Sequence, residues 1–98
     1  MDKVEQFKEI ADSLSVLYAK KNEDYGDSFG KTFEELGIIS AVTRMSDKMN
    51  RIKSLAIKGS NNFESIEDTL RDLASYSIMT LVEIDRLKKI IRKQNEKM

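Results

Sequence analysis

From Phe63 to Ile91 the chain reads FESIEDTLRDLASYSIMTLVEIDRLKKII, with neither Gly nor Pro. Phe63, Ile66, Leu70, Leu73, Ser77, Thr80, Ile84, Leu87 and Ile91 recur at alternating three- and four-residue steps, the spacing of a packed helical seam. A helix over this stretch is roughly 43 Å long at ~1.5 Å per residue, longer than the ~30 Å breadth of a small domain. A short chain cannot cover it from end to end. Its far part therefore stands in solvent or is covered by another subunit.

The front of the same helix carries a second pattern. Glu64, Asp68 and Asp72 are spaced by four and form one stripe. An acidic stripe near a helix N-terminus is favoured by the macrodipole and is commonly just a solvated face. Carboxylates in a row are also the oxygen donors that a hard cation such as Mg²⁺ requires. Beyond the stripe, Leu73, Ala74, Tyr76, Ile78, Met79, Leu81 and Val82 make the helix apolar on almost every side, and a helix apolar all round is buried all round. Asp72 is thus expected at a core boundary, with Glu64, Asp68 and Asp72 as candidate metal ligands.

The 98 residues suit one domain, and 40% apolar content supports a modest core that oligomerisation would enlarge. Zero net charge removes any global case for nucleic-acid or membrane binding, although Arg86 to Met98 holds six basic residues and one acidic. Without Cys there are no disulfides or thiolate metal sites. Without His the commonest acid–base group is missing, so any catalysis falls to carboxylates, Lys, Tyr or a metal. No run reads as a membrane span or a secretory leader, and a cytoplasmic protein is expected. The lack of Pro and the four Gly predict an all-α fold: three main helices in an antiparallel bundle, ending in the long C-terminal helix.

Taken in order, residues 2 to about 20 predict a first helix with Val4, Phe7, Ile10, Leu14, Leu17 and Tyr18 on its apolar face. Residues 21–31 follow as a connection rich in turn formers. It also holds Lys21, Tyr25, Ser28 and Phe29, and two aromatics in a connection need somewhere to go. Either it is a plain polar link, or Tyr25 or Phe29 covers a pocket while Lys21 and Ser28 meet a phosphate. Thr32 and Glu35 form a capping box for a second helix over about 33–58, with a core seam of Val42, Met45, Met49, Ile52 and Ala56. Gly37 inside it suggests a kink or a close backbone approach. Beside the seam, Arg44, Lys48 and Arg51 form a basic line. These side chains either snorkel and pair with the acids of the next helix or bind the phosphates of a ligand. Asn61 and Glu64 make a further capping box ahead of the third helix, about 62–94. Its basic, amphipathic tail is read as an oligomer contact.

Three blocks now carry a resemblance: Lys21-Asn22-Glu23-Asp24-Tyr25-Gly26-Asp27-Ser28-Phe29, then Arg44-x-x-Asp47-Lys48-x-x-Arg51, then Glu64-Ser65-x-x-Asp68-Thr69-x-x-Asp72-Leu73-Ala74-x-Tyr76. In this order they resemble the nucleotide-modification-associated domain family of small phage and bacterial proteins, which has no firmly assigned activity. That family looks like a distant relative of the MazG-like all-α nucleoside triphosphate pyrophosphohydrolases. Those enzymes hold Mg²⁺ with acidic residues on two adjacent helices, usually in oligomers, and cleave a nucleotide to monophosphate and pyrophosphate. The resemblance implies a MazG-like fold, a nucleotide ligand and a homo-oligomer built through the long helix. It also implies Mg²⁺ at Asp47, Glu64, Asp68 and Asp72, and a place in the host cytoplasm where the gene is a phage's. The chain departs from the hydrolase pattern of Glu-x-x-Glu on one helix and Glu-x-x-Asp on the next. Glu34 and Glu35 begin something similar, but Ile38 stands where a further acid would help, and Asp47 would have to serve as the facing acid. No base for an attacking water is identified, so nucleotide binding follows more directly than turnover.

Three functions compete at this point. One is a Mg²⁺-dependent nucleotide pyrophosphohydrolase. The second is a non-catalytic oligomer that sequesters a signalling nucleotide. The third, from a different class, is a helical scaffold whose acidic and basic rows are salt bridges.

Overall fold

The computed structural model describes residues 2–59 and 63–97. Four helices follow one another: α1 (Lys3–Tyr25), α2 (Ser28–Leu36), α3 (Ile38–Lys58) and α4 (Phe63–Glu96). The described residues contain no strand, so the fold is all-α as expected. None of the described helices is long and apolar enough to cross a membrane.

The main contact in the chain is α3 on α4. Lys48 meets Asp72, and Met45 meets Ser77. The partners run in opposite order along the two helices, so α3 and α4 are antiparallel. The expected seams are rolled by one residue on both. On α3 the more enclosed line is Ala41, Met45, Lys48, Ile52 and Leu55, while Val42, Met49 and Ala56 are exposed. On α4 it is Ile66, Thr69, Leu73, Tyr76 and Thr80, while Leu70 and Ser77 are exposed. Small residues explain the roll. Ala41, Thr69 and Thr80 are buried at the contact, and small side chains let two helices approach closely, whereas Val42, Met49 and Leu70 would hold them apart. The threonine hydroxyls do not go unpaired. Thr69 Oγ1 donates to the Ser65 carbonyl at 2.8 Å and Thr80 Oγ1 to the Tyr76 carbonyl at 2.6 Å, one turn back on the same helix.

The expected connection over residues 21–31 is corrected by the structure. α1 runs on through Lys21 to Tyr25, and α2 begins at Ser28, so the break is only Gly26 and Asp27. Polar side chains do not end a helix by themselves; a positive φ does, and Gly26 has φ 54°. Thr32 is likewise inside α2 rather than capping a helix, its Oγ1 donating to the Ser28 carbonyl at 2.9 Å. Gly37 separates α2 from α3 with φ 73°. A Cβ built there meets nothing within 4 Å, so Gly37 serves the bend and not a close approach. Four helices stand where three main ones were expected because Gly37 cuts the expected second helix into α2 and α3. Asn61 of the second capping box lies outside the described residues.

α1 is held more lightly. Leu14 is buried, Arg71 Nη1 donates to Ser13 Oγ at 3.1 Å, but Val4, Phe7 and Ile10 are exposed. The all-round burial expected of α4 is not reached within one chain either, since Ile78, Leu81 and Val82 are exposed.

The roll of the seam leads to a test. Ala41 is 0% exposed, and a larger side chain there must push α3 off α4. Ala41→Leu is expected to destabilise the chain by about 1–3 kcal/mol, whereas Val42→Leu, on the exposed edge, is expected to change stability by less than ~0.5 kcal/mol. Urea unfolding followed by circular dichroism measures both, and equal effects would contradict the rolled seam.

Candidate functional site

The two glycine breaks fold α1 and α2 around the middle of α4, and a cavity of about 220 Å³ lies between them. The last turns of α1 contribute Leu17, Tyr18, Lys21, Asn22 and Tyr25; Asp27, Ser28 and Phe29 come from the break and the start of α2. α3 contributes Arg44, and α4 contributes Arg71, Asp72, Ser75, Tyr76 and Met79. All four helices thus reach one space.

Its chemistry is divided between π surfaces and cations. Tyr18, Tyr25, Phe29 and Tyr76 line it. The Phe29 and Tyr76 rings stand 5.8 Å apart between centroids, tilted by 31°, within the range of a favourable aromatic pair. Lys21, Arg44 and Arg71 supply positive charge, and Asp27 and Asp72 supply carboxylates. Lys48 Nζ lies 3.1 Å from Asp72 Oδ2. This pair realises the expected link between the basic line of α3 and the acidic stripe of α4. Both partners are part-exposed, so it contributes little to stability; it places a cation beside the cavity and partly neutralises Asp72.

The structure brings together Lys21, Tyr25, Ser28, Phe29 and Arg44 of the expected ligand residues, with Lys48 reaching the cavity rim through Asp72. Arg51 is exposed and does not line the cavity. Of the expected metal ligands only Asp72 lines it; Asp47, Glu64 and Asp68 are exposed elsewhere. Among the described residues no three carboxylates converge to hold an ion. Helix geometry accounts for this. A stripe at four-residue steps from Glu64 to Asp72 spans roughly 12 Å along the axis, too far for ligands that must all sit ~2.1 Å from one Mg²⁺.

Asn22, Asp27, Arg71 and Tyr76 are among the cavity residues that went without a role at the level of sequence. Asp27 and Tyr76 lie within the quoted blocks, and Asn22 stands beside Lys21. Arg71 had a signal of its own, as the one basic residue between Asp68 and Asp72 in an otherwise acidic front.

One carboxyl beside the site has a displaced pKa. Glu83 is raised above its ordinary value, first by desolvation on burial and then by the Asp27 carboxylate, with Arg86 opposing and Glu34 adding to the rise. The folded state therefore holds this proton more tightly than the unfolded chain. Between the unfolded and folded pKa values the native state binds more protons, and stability falls as pH rises through that window. Glu83→Gln is expected to raise the melting temperature at pH 7, with the gain disappearing below about pH 4, where the carboxyl is protonated in both states. Thermal melts at both pH values measure it, and a loss of stability at pH 7 would contradict the assigned crowding of carboxylates.

Comparison with known proteins bears on residues 21–84, which match the family described as nucleotide modification associated domain 1. No curated protein and no solved structure matches the chain. The matched span runs from the last turn of α1 through most of α4 and includes every cavity residue named above except Leu17 and Tyr18. The chain belongs to the nucleotide modification associated domain 1 family.

Proposed function

We propose that the cavity binds a nucleotide. The observation that carries this is the meeting, in one space, of the rings of Tyr18, Tyr25, Phe29 and Tyr76 with the cations Lys21, Arg44 and Arg71. A nucleotide presents a flat π face at one end and phosphates at the other. Aromatic rings stack on the first at about 1–3 kcal/mol per base, and guanidinium groups bind the second with paired, charge-assisted hydrogen bonds. At about 220 Å³ the cavity is smaller than the ~300–1,000 Å³ usual for small-molecule sites. The base and part of the sugar are seated inside and the phosphates lie toward Arg44, Arg71 and Lys21. Ser28 Oγ is a further donor for a phosphate oxygen, and Asn22 is suited to a base edge.

Mg²⁺, in this reading, arrives with the phosphates. The ion keeps several waters and commonly takes only one or two protein carboxylates besides phosphate oxygens, a role that fits Asp72 and Asp27 at the cavity wall. The hydrolase form of the proposal, by analogy with MazG-like enzymes, needs more carboxylates around the ion than this geometry gathers. The dispersal of Asp47, Glu64 and Asp68 favours the other form, a binder that retains its nucleotide, a signalling nucleotide included, without cleaving it.

The experiment is retention and turnover measured together. The protein is mixed with linear and cyclic nucleotides and Mg²⁺, freed of unbound ligand and denatured, and what it releases is identified by mass spectrometry. Release of an intact nucleotide is the expected result. Appearance of monophosphate and pyrophosphate would establish the hydrolase form, and neither retention nor consumption would favour the scaffold. For a retained nucleotide, Arg44→Ala and Arg71→Ala are each expected to weaken affinity about 10- to 100-fold, the loss of one hydrogen bond to a charged group. Arg51→Ala, outside the cavity, is expected to change it less than about threefold, within the small range of a surface substitution.

A further inference from the structure

The chain exposes 8064 Å², whereas a folded monomer of 11.3 kDa exposes about 5,700 Å². Its radius of gyration is 16.4 Å against about 13 Å for a compact chain of this length. The surplus of roughly 2,300 Å² exceeds the ~800 Å² that each partner contributes to a stable interface. Much of it is apolar, and one part has a regular pattern. At ~100° per residue, Leu70, Ala74, Ile78 and Leu81 share a face of α4 turned about 130° from the line Thr69, Leu73, Tyr76 and Thr80 that meets α3. Leu70, Ile78 and Leu81 are 48%, 48% and 65% exposed.

Charge says what covers this face. The front of α4 is acidic, with Glu64, Glu67, Asp68 and Asp72 against Arg71; the rear is basic, with Arg86, Lys88, Lys89, Arg92 and Lys93 against Glu83, Asp85 and Glu96. Such a helix complements itself when reversed. A membrane surface or nucleic acid would meet the acidic front as well as the basic rear, and would be repelled by it. A second α4 laid antiparallel sets each acidic front on a basic rear.

We propose that two copies of this chain associate through antiparallel contact of their α4 helices, centred between Ser77 and Ile78. In that register Ala74 faces the partner's Leu81. Glu67 faces the partner's Lys88, and Phe63 faces the partner's Arg92, a cation–π pairing. The contact is isologous: each of these pairs occurs twice about a two-fold axis. It leaves the cavity on the α1 side of α4 open, and the assignment is independent of what that cavity binds.

The chain has no cysteine, so single introduced thiols report on the axis without interference. Ser77→Cys and Ile78→Cys, each placed at the two-fold, are expected to oxidise to disulfide-linked dimers at micromolar concentration, while Lys31→Cys on α2 is not. Sedimentation of the native chain is expected to give twice the 11.3 kDa mass. Glu67→Lys is expected to weaken the dimer at least tenfold by setting lysine against lysine, and adding Lys88→Glu in the same chain is expected to restore it. Both positions are exposed, and circular dichroism checks that the variants remain helical. A monomeric native chain would overturn the proposal. So would a dimer that neither cross-links at these two positions nor responds to the charge swap, since its contact would then lie elsewhere, with α1 the next candidate.

Discussion

The close approach of α3 to α4 is the contact on which the other elements depend. It is made by small residues, Ala41 on one side and Thr69 and Thr80 on the other, and close approach lets a thin contact gain dispersion over many atoms. The same approach fixes the roll of both helices. With Ala41, Met45 and Ile52 turned inward, Lys48 comes to the edge of the seam and reaches Asp72. An ion pair of little energetic worth is thereby set at the wall of the cavity, and Arg44, one turn earlier on α3, is aimed at the cavity itself. The packing that stabilises the chain and the charge set at the cavity wall come from one rotation of two helices.

The two glycines decide what is laid against that pair. Gly26 ends α1 and Gly37 ends α2, both with φ in the region that side chains other than glycine rarely adopt. Without the first break α1 would run on in a straight line, and its terminal Lys21 and Tyr25 would not share a space with Phe29. Without the second, α2 would continue α3 as one rod, carrying Ser28 and Phe29 away from Tyr76. The cavity is the space left where a broken helix returns over an unbroken one. The energy of the arrangement sits on the unbroken pair, which also lends Arg44, Arg71 and Tyr76 to the cavity, while the elements held more lightly around it close the space.

Much of the cavity's lining was legible from residue types alone. Aromatics and a lysine in a polar segment, and a basic line beside an apolar seam, pointed to Lys21, Tyr25, Ser28, Phe29 and Arg44, and the structure gathers these five. Arg51 was selected for its periodicity and does not line the cavity. Period marks a face of a helix, but it does not say how far along that face a pocket extends. The acidic stripe shows the same limit in another form. Glu64, Asp68 and Asp72 do share a side of α4, yet only Asp72 stands at the height where α1 and α2 cross. Arg71 was missed because it lies off the stripe, and only the passage of Ser13 and α1 on that side of α4 gives it neighbours.

Sequence alone determined that this chain is all-α and that its last helix is too long for the chain to cover. Those properties follow from local rules: the absence of Pro, the few Gly, and apolar steps of three and four. It pointed to residue types that line the cavity as well, since π faces and cations are properties of single side chains. The tertiary structure decided which residue of each adjacent pair turns inward, Ala41 over Val42 and Thr69 over Leu70. It also decided that two glycines are hinges between helices and that one carboxylate of the expected four reaches the cavity. These depend on the distance between two helix axes. No single helix specifies that distance, because it is set by the side chains of both helices at once.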